Sequence, residues 1–343
     1  MTAAGGHAIL RPHITGYGYI MRRIILLTAL ALLLPLSAAA RQGDPLPGPL
    51  VSADWLAAHL DDVVVLDIRT DIDSFSTGLA PSDDEEGMGL CSDPLPMGSH
   101  RIEGHIPGAR LVRLADITGQ YPGPNGPIGG MLAEPAAFQA AMQAAGVNAG
   151  QPVVVTSQGL SISDMANATR LYFALRHFGH DSVALLDGGV AGWIDAGHDF
   201  ATRQLPFEPG DFQAGPGDAT LLATRGQIEA GEAGALVDGR SGGEFRGLLD
   251  SSSVAGRGHL PGALHIPMGD LGSSGRPAYL HDTERQQATF SAVPDGPLTV
   301  YCDTGRRATL HWFVLNELLG KPARLYDGSL HEWTHQGGDL ARP

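Results

Sequence analysis

Cysteine and lysine are almost absent from this sequence. Its 343 residues hold two cysteines, Cys91 and Cys302, and a single lysine, Lys321. Two thiols exclude a disulfide-stapled scaffold and a four-cysteine zinc module. The chain has 22 basic residues against 37 acidic ones, for a formal net charge of -15, and no basic run interrupts that balance. Nucleic acid and anionic lipid are therefore poor partners for it. Aromatic residues are scarce at 6%, while 43% of the chain is hydrophobic, enough for the cores of about two domains. The 47 glycines and 24 prolines make the chain turn-rich without the strict period of a fibrous protein.

Long apolar runs are scarce too, and the most prominent lies near the start. Met21-Arg22-Arg23 is followed by an apolar run at 24–34, then Pro35, Leu36, Ser37 and three alanines ending at Ala40. A basic start, an apolar stretch short for crossing a bilayer and a small-residue site predict a secretory signal cleaved after Ala40. Its core is 21–40, and residues 1–20 are an upstream extension. The expected destination is exported, periplasmic or secreted, with no stable membrane insertion after cleavage. The alternative is an anchor through residues 24–34.

The rest of the chain repeats itself. Val63-Val64-Val65-Leu66-Asp67-Ile68-Arg69 is echoed by Ala235-Leu236-Val237-Asp238-Gly239-Arg240. Gly104-His105-Ile106-Pro107-Gly108-Ala109 is echoed by Gly258-His259-Leu260-Pro261-Gly262-Ala263. Pro152-Val153-Val154-Val155-Thr156-Ser157 is echoed by Pro297-Leu298-Thr299-Val300-Tyr301-Cys302. Leu186-Asp187-Gly188-Gly189 with Trp193 is echoed by Tyr326-Asp327-Gly328-Ser329 with Trp333. The order is kept at a period of about 150 residues, which means a duplicated domain rather than a solenoid. The expected halves are 44–205 and 219–343, with 206–218, rich in glycine and proline, as linker.

Strands and helices alternate in each half. In the second, residues 223–232 predict a helix, 236–238 a strand, 298–301 a strand, 307–319 a helix, 323–326 a strand and 330–335 a short helix. Strands joined through helices predict an α/β fold in which each half is a parallel sheet with helices on both faces. Ligands of such sheets bind at the carboxyl ends of the strands.

Cys302 falls at such an end. Val300-Tyr301-Cys302-Asp303-Thr304-Gly305-Arg306-Arg307 is a strand, a tight loop and the start of a helix. The loop's N–H groups, the positive end of the helix, Arg306 and Arg307 all favour an anionic, reactive sulfur. The same N–H groups make a cradle for an anion, with Asp303, Thr304 and Gly305 supplying the backbone. The bland alternative for Cys302 is a small buried hydrophobe.

At this point the sequence resembles the tandem-domain sulfurtransferases of the rhodanese family. The resemblance is carried by Asp238-x-Arg240, Glu244-Phe245-x-Gly247, Gly258-His259-Leu260-Pro261-Gly262-Ala263, Cys302-x-x-Gly305-x-Arg307, Tyr326-Asp327-Gly328-Ser329 and Glu332-Trp333. It implies two rhodanese-like domains, the first catalytically silent, as its Ser157-Gln158-Gly159 in place of a cysteine suggests. It also implies a ping-pong reaction in which Cys302 takes sulfur from a small anionic donor, becomes a persulfide, and passes the sulfur to cyanide or a thiol. Arg240 matches an arginine that helps bind the donor, although a salt bridge to Asp238 or Glu244 is an equal alternative because Arg69 occupies the same place. Arg307 matches the basic residue closing the loop, and Arg306 adds charge. The loop matches neither Cys-Arg-Lys-Gly-Val-Thr nor Cys-Gly-Ser-Gly-Val-Thr, the family's thiosulfate and 3-mercaptopyruvate forms. Two arginines favour thiosulfate over 3-mercaptopyruvate, and no metal or organic cofactor is called for.

Other readings are weaker. A phosphatase on this fold carries Cys-x5-Arg, whereas Cys302 to Arg307 is one residue shorter. A sulfur-carrier module with little turnover would use the same cysteine. His331-Glu332-Trp333-Thr334-His335 matches a zinc-peptidase motif, but Asp339 is the sole acidic residue after it, and the repeat accounts for the segment: Trp333 matches Trp193, with Val190 and Ala191 where His331 and Glu332 fall. Cys91 lies in an acidic insertion that disfavours thiolate, the alternative being a redox or sulfur relay with Cys302. The four acidic residues at 83–86 suggest a solvated loop. His105 and His259, present in both halves, suggest a turn role.

Overall fold

Valine-rich runs form the first strands because β-branched side chains suit a pleated, buried surface. A computed structural model describes residues 46–76 and 101–342; the expected leader, the acidic residues at 83–86 and Cys91 lie outside the described residues. In the first half the elements are β1 (Leu50–Val51), α1 (Ala53–Ala58), β2 (Val64–Arg69), β3 (Arg110–Arg113), β4 (Thr118–Tyr121), β5 (Ile128–Leu132), α2 (Pro135–Ala144), β6 (Val153–Thr156), α3 (Ile162–His177), β7 (Val183–Leu186) and α4 (Gly189–Asp195). The second half has α5 (Arg225–Glu229), β8 (Ala235–Asp238), α6 (Gly242–Phe245), β9 (Leu264–His265), α7 (Thr283–Thr289), β10 (Leu298–Tyr301), α8 (Ala308–Phe313), β11 (Ala323–Leu325) and α9 (Ser329–His335).

The duplication is visible in the topology. The first sheet runs β1-β7-β6-β2-β3 and the second β11-β10-β8-β9, with every pair parallel. A parallel bridge from Leu222 to Leu325 stands where β1 pairs with β7. Alternation along β2 sends Val64, Leu66 and Ile68 to one face and Val63 and Val65 to the other. The first set shares a core with α3, α8 and the inner face of the second sheet; the second packs under α1 and α4. Tyr301, Tyr326, Leu330 and Trp333 close the outer face of the second sheet.

Two expected helices are shorter than their sequence pattern. The first begins only at Arg225, because the Ala223 N–H is taken by the Leu325 carbonyl and Thr224 and Gln227 form a capping box. The helix after Cys302 gives way at Val314–Leu318 to a π turn.

The halves are joined by an exchange of loops. The β4–β5 hairpin of the first half reaches the turn after β11: the Leu132 N–H donates to Asp327 Oδ2 at 2.8 Å. In return, a segment of the second half pinned by the Gly272–Leu280 bridge reaches the turn after β7, where the Leu280 N–H donates to Asp187 Oδ1 at 2.9 Å. The first exchange carries a buried ion pair. Arg170, on α3, donates to Asp327 Oδ1 at 2.6 Å and to the Gly130 carbonyl at 2.9 Å, with both charged side chains buried. The described residues form one compact unit, and among them no helix is long and apolar enough to cross a membrane.

Removing one member of a buried ion pair leaves a charge without its partner, at a cost of about 3–5 kcal/mol. Arg170→Met is therefore expected to lower the urea midpoint sharply, whereas Arg113→Met, which breaks an exposed pair with Asp116, should shift it by less than about 1 kcal/mol.

Candidate active site

Cys302 is the first residue past β10, 1% exposed and a free thiol. Its N–H donates to Ser329 Oγ at 3.1 Å, and Ser329 Oγ–H in turn donates to the Tyr326 carbonyl at 2.8 Å. Ser329 holds a φ of 49°, a conformation that a side chain adopts at a cost of about 1–3 kcal/mol. The Leu330 and His331 N–H groups bond the Cys302 and Asp303 carbonyls. The start of α9 thus fixes the loop from below. The first half repeats this: the Val190 and Ala191 N–H groups bond the Ser157 and Gln158 carbonyls. That register corrects the sequence reading by one residue, because Ala191 stands opposite His331 and Gly192 opposite Glu332.

With the Cys302 and Asp303 carbonyls occupied, the loop's amides remain. Among the described residues no protein acceptor takes the N–H groups of residues 303–307. Gly305 makes the tight course possible: its φ is 81°, and a Cβ there would sit 2.5 Å from the Asp327 carbonyl oxygen. From above, Gly130 of the hairpin lies against Thr304, where a Cβ would meet the threonine side chain at 3.0 Å. His331 Nδ1 lies 3.2 Å from the Gly129 carbonyl.

The three arginines go to three different places. Arg240 is buried and donates to both Asp238 oxygens, at 2.7 Å in the closest contact, and to the Gly258 carbonyl at 2.7 Å. Arg69 makes the same bonds to Asp67 and the Gly104 carbonyl in the first half, whose matching loop holds Ser157 rather than a cysteine. This is the salt-bridge alternative for Arg240, and it ties a strand end to the Gly-His-x-Pro-Gly turn in both halves. Arg240 faces the loop only through Nη1, which lies 3.7 Å from Asp303 Oδ1.

Arg307 donates to Glu244 Oε1 at 2.8 Å and to Asp303 Oδ2 at 2.5 Å. Arg306 points the other way, to Asn167 Oδ1 at 2.7 Å and the Ser163 carbonyl at 3.1 Å, both on α3 of the first half. The Cys302 sulfur attracts both guanidiniums. Burial lowers the Arg306 value from its ordinary range, with Cys302 the largest opposing influence. Burial also acts to lower Arg307, but its bonds to Glu244 and its attraction to Cys302 and Asp303 outweigh this and raise it.

Asp303 is the acidic member of the loop. Its Oδ2 also accepts from Ser251 Oγ at 2.9 Å, while its buried Oδ1 has no hydrogen-bond partner. Burial raises its carboxyl above the usual range, against the pull of Arg307. Glu244 moves the other way. Burial alone would raise it, but hydrogen bonds from Arg307 and Ser241 prevail and bring it down to about 2.

The remaining candidates are structural. His259 stacks on Phe245 at 3.8 Å and His105 on Phe75 at 4.0 Å, each near a carbonyl. His331 and His335 stand edge to face at 4.5 Å, and no group of three or more metal-ligating side chains converges among the described residues. Sequence reasoning missed Arg170, Asn167, Ser329 and the β4–β5 hairpin. Of these, only Ser329, in the repeated Asp-Gly-x motif, carried a local signal.

Comparison with known proteins agrees with this geometry. The family model for the Rhodanese-like domain matches residues 52–196 and 223–336. A probable 3-mercaptopyruvate sulfurtransferase from Pseudomonas aeruginosa is 34% identical over 83% of this chain and 94% of its own. A sulfur carrier protein from Thermus thermophilus is 28% identical over 84% and 94%. The crystal structure of the Escherichia coli 3-mercaptopyruvate sulfotransferase SseA superposes with a TM-score of 0.64 at 27% identity, covering 82% of this chain and 98% of that one. The chain belongs to the rhodanese-like family, as a tandem-domain sulfurtransferase.

The depressed Glu244 value has a consequence for acid stability. Its carboxylate stabilises the fold above the unfolded value near 4.5, and that contribution is lost as pH falls toward 2. Glu244→Gln is expected to lower the melting temperature at pH 6–7 and to flatten its decline between pH 4.5 and 2, measured by thermal denaturation across pH.

Proposed function

We propose that Cys302 carries sulfur as a persulfide between a small anionic donor and cyanide or a thiol, with thiosulfate the favoured donor. The observation behind this is that Cys302 opens a loop in which the N–H groups of residues 303–307 take no protein acceptor among the described residues, and which carries the guanidiniums of Arg306 and Arg307. The thiolate attacks the outer sulfur of thiosulfate; the sulfur–sulfur bond breaks and sulfite departs with the electron pair. Cyanide then attacks the outer sulfur of the persulfide, thiocyanate leaves and the thiolate returns. The loop amides stabilise the anionic persulfide between the two steps. With 3-mercaptopyruvate, the donor in the names of several relatives, the carbon–sulfur bond breaks instead and pyruvate leaves. The chemistry uses no metal or organic cofactor. The leader-like residues 21–40 support export, to the periplasm or beyond.

A sulfur-carrier reading draws on the 1% exposure of Cys302 and on the carrier among the relatives. Here the persulfide forms but free acceptors turn over slowly.

Cys302→Ser is expected to abolish transfer from thiosulfate to cyanide without lowering the melting temperature. Intact mass should show one added sulfur on the wild type and none on the variant. Transfer retained in the variant would overturn the mechanism. Adduct without steady-state turnover would select the carrier, and Cys302-dependent hydrolysis of a phosphate ester would select a phosphatase. In a donor panel, thiosulfate should give the higher kcat/KM.

A further inference from the structure

The loop arginines differ in whether their charge is already answered. Arg240 is paired with Asp238 and Arg307 with Glu244 and Asp303. Among the described residues no ion pair joins Arg306 to a carboxylate; it bonds only the neutral oxygens of Asn167 and Ser163. We propose that Asn167, on α3 of the first half, is a positioning residue that keeps Arg306 unneutralised in the Cys302 loop and so sets the donor charge the site prefers. This rests on the reading of Cys302 as the sulfur carrier.

The local geometry shows what Asn167 does. Asp164 lies one turn earlier on α3, close enough to attract Arg306. Its Oδ2 accepts the Gly159 N–H and its Oδ1 accepts from Asn167 Nδ2 at 3.2 Å. Asn167, 4% exposed, therefore spans the two charges, giving its NH2 to the carboxylate and its oxygen to the guanidinium. Those opposite demands fix the orientation of the amide. A carboxylate at this position would pair with Arg306 and cancel its charge, and an apolar side chain would release it.

Rigid neighbours hold this arrangement. Thr169 Oγ1 on α3 and Thr309 Oγ1 on α8 are 2.9 Å apart. Thr309 Oγ1 also donates to the Arg306 carbonyl at 2.7 Å. The backbone and the tip of Arg306 are thus fixed from opposite halves. The first half acts on the reaction by holding Arg306 with neutral oxygens, so that its positive charge stays unpaired in the Cys302 loop.

The test compares a dianionic donor, thiosulfate, with 3-mercaptopyruvate, which carries one carboxylate. Asn167→Asp should raise KM for thiosulfate roughly tenfold with a much smaller change in kcat. It should affect 3-mercaptopyruvate less, so the ratio of kcat/KM between the donors falls. Arg306→Gln should lower the same ratio, and the double variant should lower it no further than Arg306→Gln alone. An unchanged donor ratio in a folded Asn167→Asp protein would overturn the proposal, as would an equal loss for both donors. If Asn167→Asp does not fold, an unchanged ratio in Arg306→Gln overturns it equally. Cys302→Ser is assayed alongside: transfer that persists there overturns the persulfide reading itself, and this proposal with it.

Discussion

The buried pair of Arg170 and Asp327 is the constraint on which the site depends. Asp327 follows β11, the strand beside the nucleophile's strand, and belongs to the turn that supports the loop. One of its oxygens binds Arg170 and the other binds the hairpin backbone at Leu132. Arg170 also holds the hairpin at Gly130, which lies against Thr304. A single charged contact thus links a helix of one half, a turn of the other, and the lid over the cysteine. Burying two charges is tolerable here because their lone pairs and N–H groups are largely taken up by each other and by backbone.

Around that contact the two halves show what duplication keeps and what it releases. Both keep a buried Asp-x-Arg pair bonded to the glycine carbonyl of a Gly-His-x-Pro-Gly turn, and a histidine stacked on phenylalanine. Both lend a segment to the other's loop. The loops, by contrast, differ: in the second copy a cysteine stands where the first has Ser157, and two arginines follow it. In the first copy burial pushes the Asp187 carboxyl up, against hydrogen bonds from the Leu280 and Gly188 N–H groups. The first half serves as a support, supplying the hairpin, Arg170 and the α3 acceptors for Arg306.

The acidity of the chain also finds a place in this arrangement. A net charge of -15 works against an anionic substrate at long range, so attraction must be local. Within the loop region, Glu244 and Asp303 answer Arg307, and Asp238 answers Arg240. The cation left over is Arg306, and it is held by neutral oxygens. Charge at the site is set by pairing rather than by the count of arginines.

By itself the sequence determined the duplication, the parallel α/β halves and the place of Cys302 between a strand and a helix. Each is written in local order: alternating valines, repeated turn motifs, and a cysteine directly after a strand and before a helix. Such features follow from backbone preferences over a few residues, and so they are legible one segment at a time. Only the tertiary structure decided where the arginines go. Arg240 and Arg69 look alike in sequence and behave alike, whereas Arg306 and Arg307 are neighbours and diverge, one to α3 and one to Glu244. Arg170, Asn167 and the hairpin left no motif, because their partners lie in the other half of the chain. Arg240 and Arg307 are neutralised by carboxylates of their own half, whereas Arg306 is held by neutral oxygens across the interface, a contact that exists only once the two halves have packed.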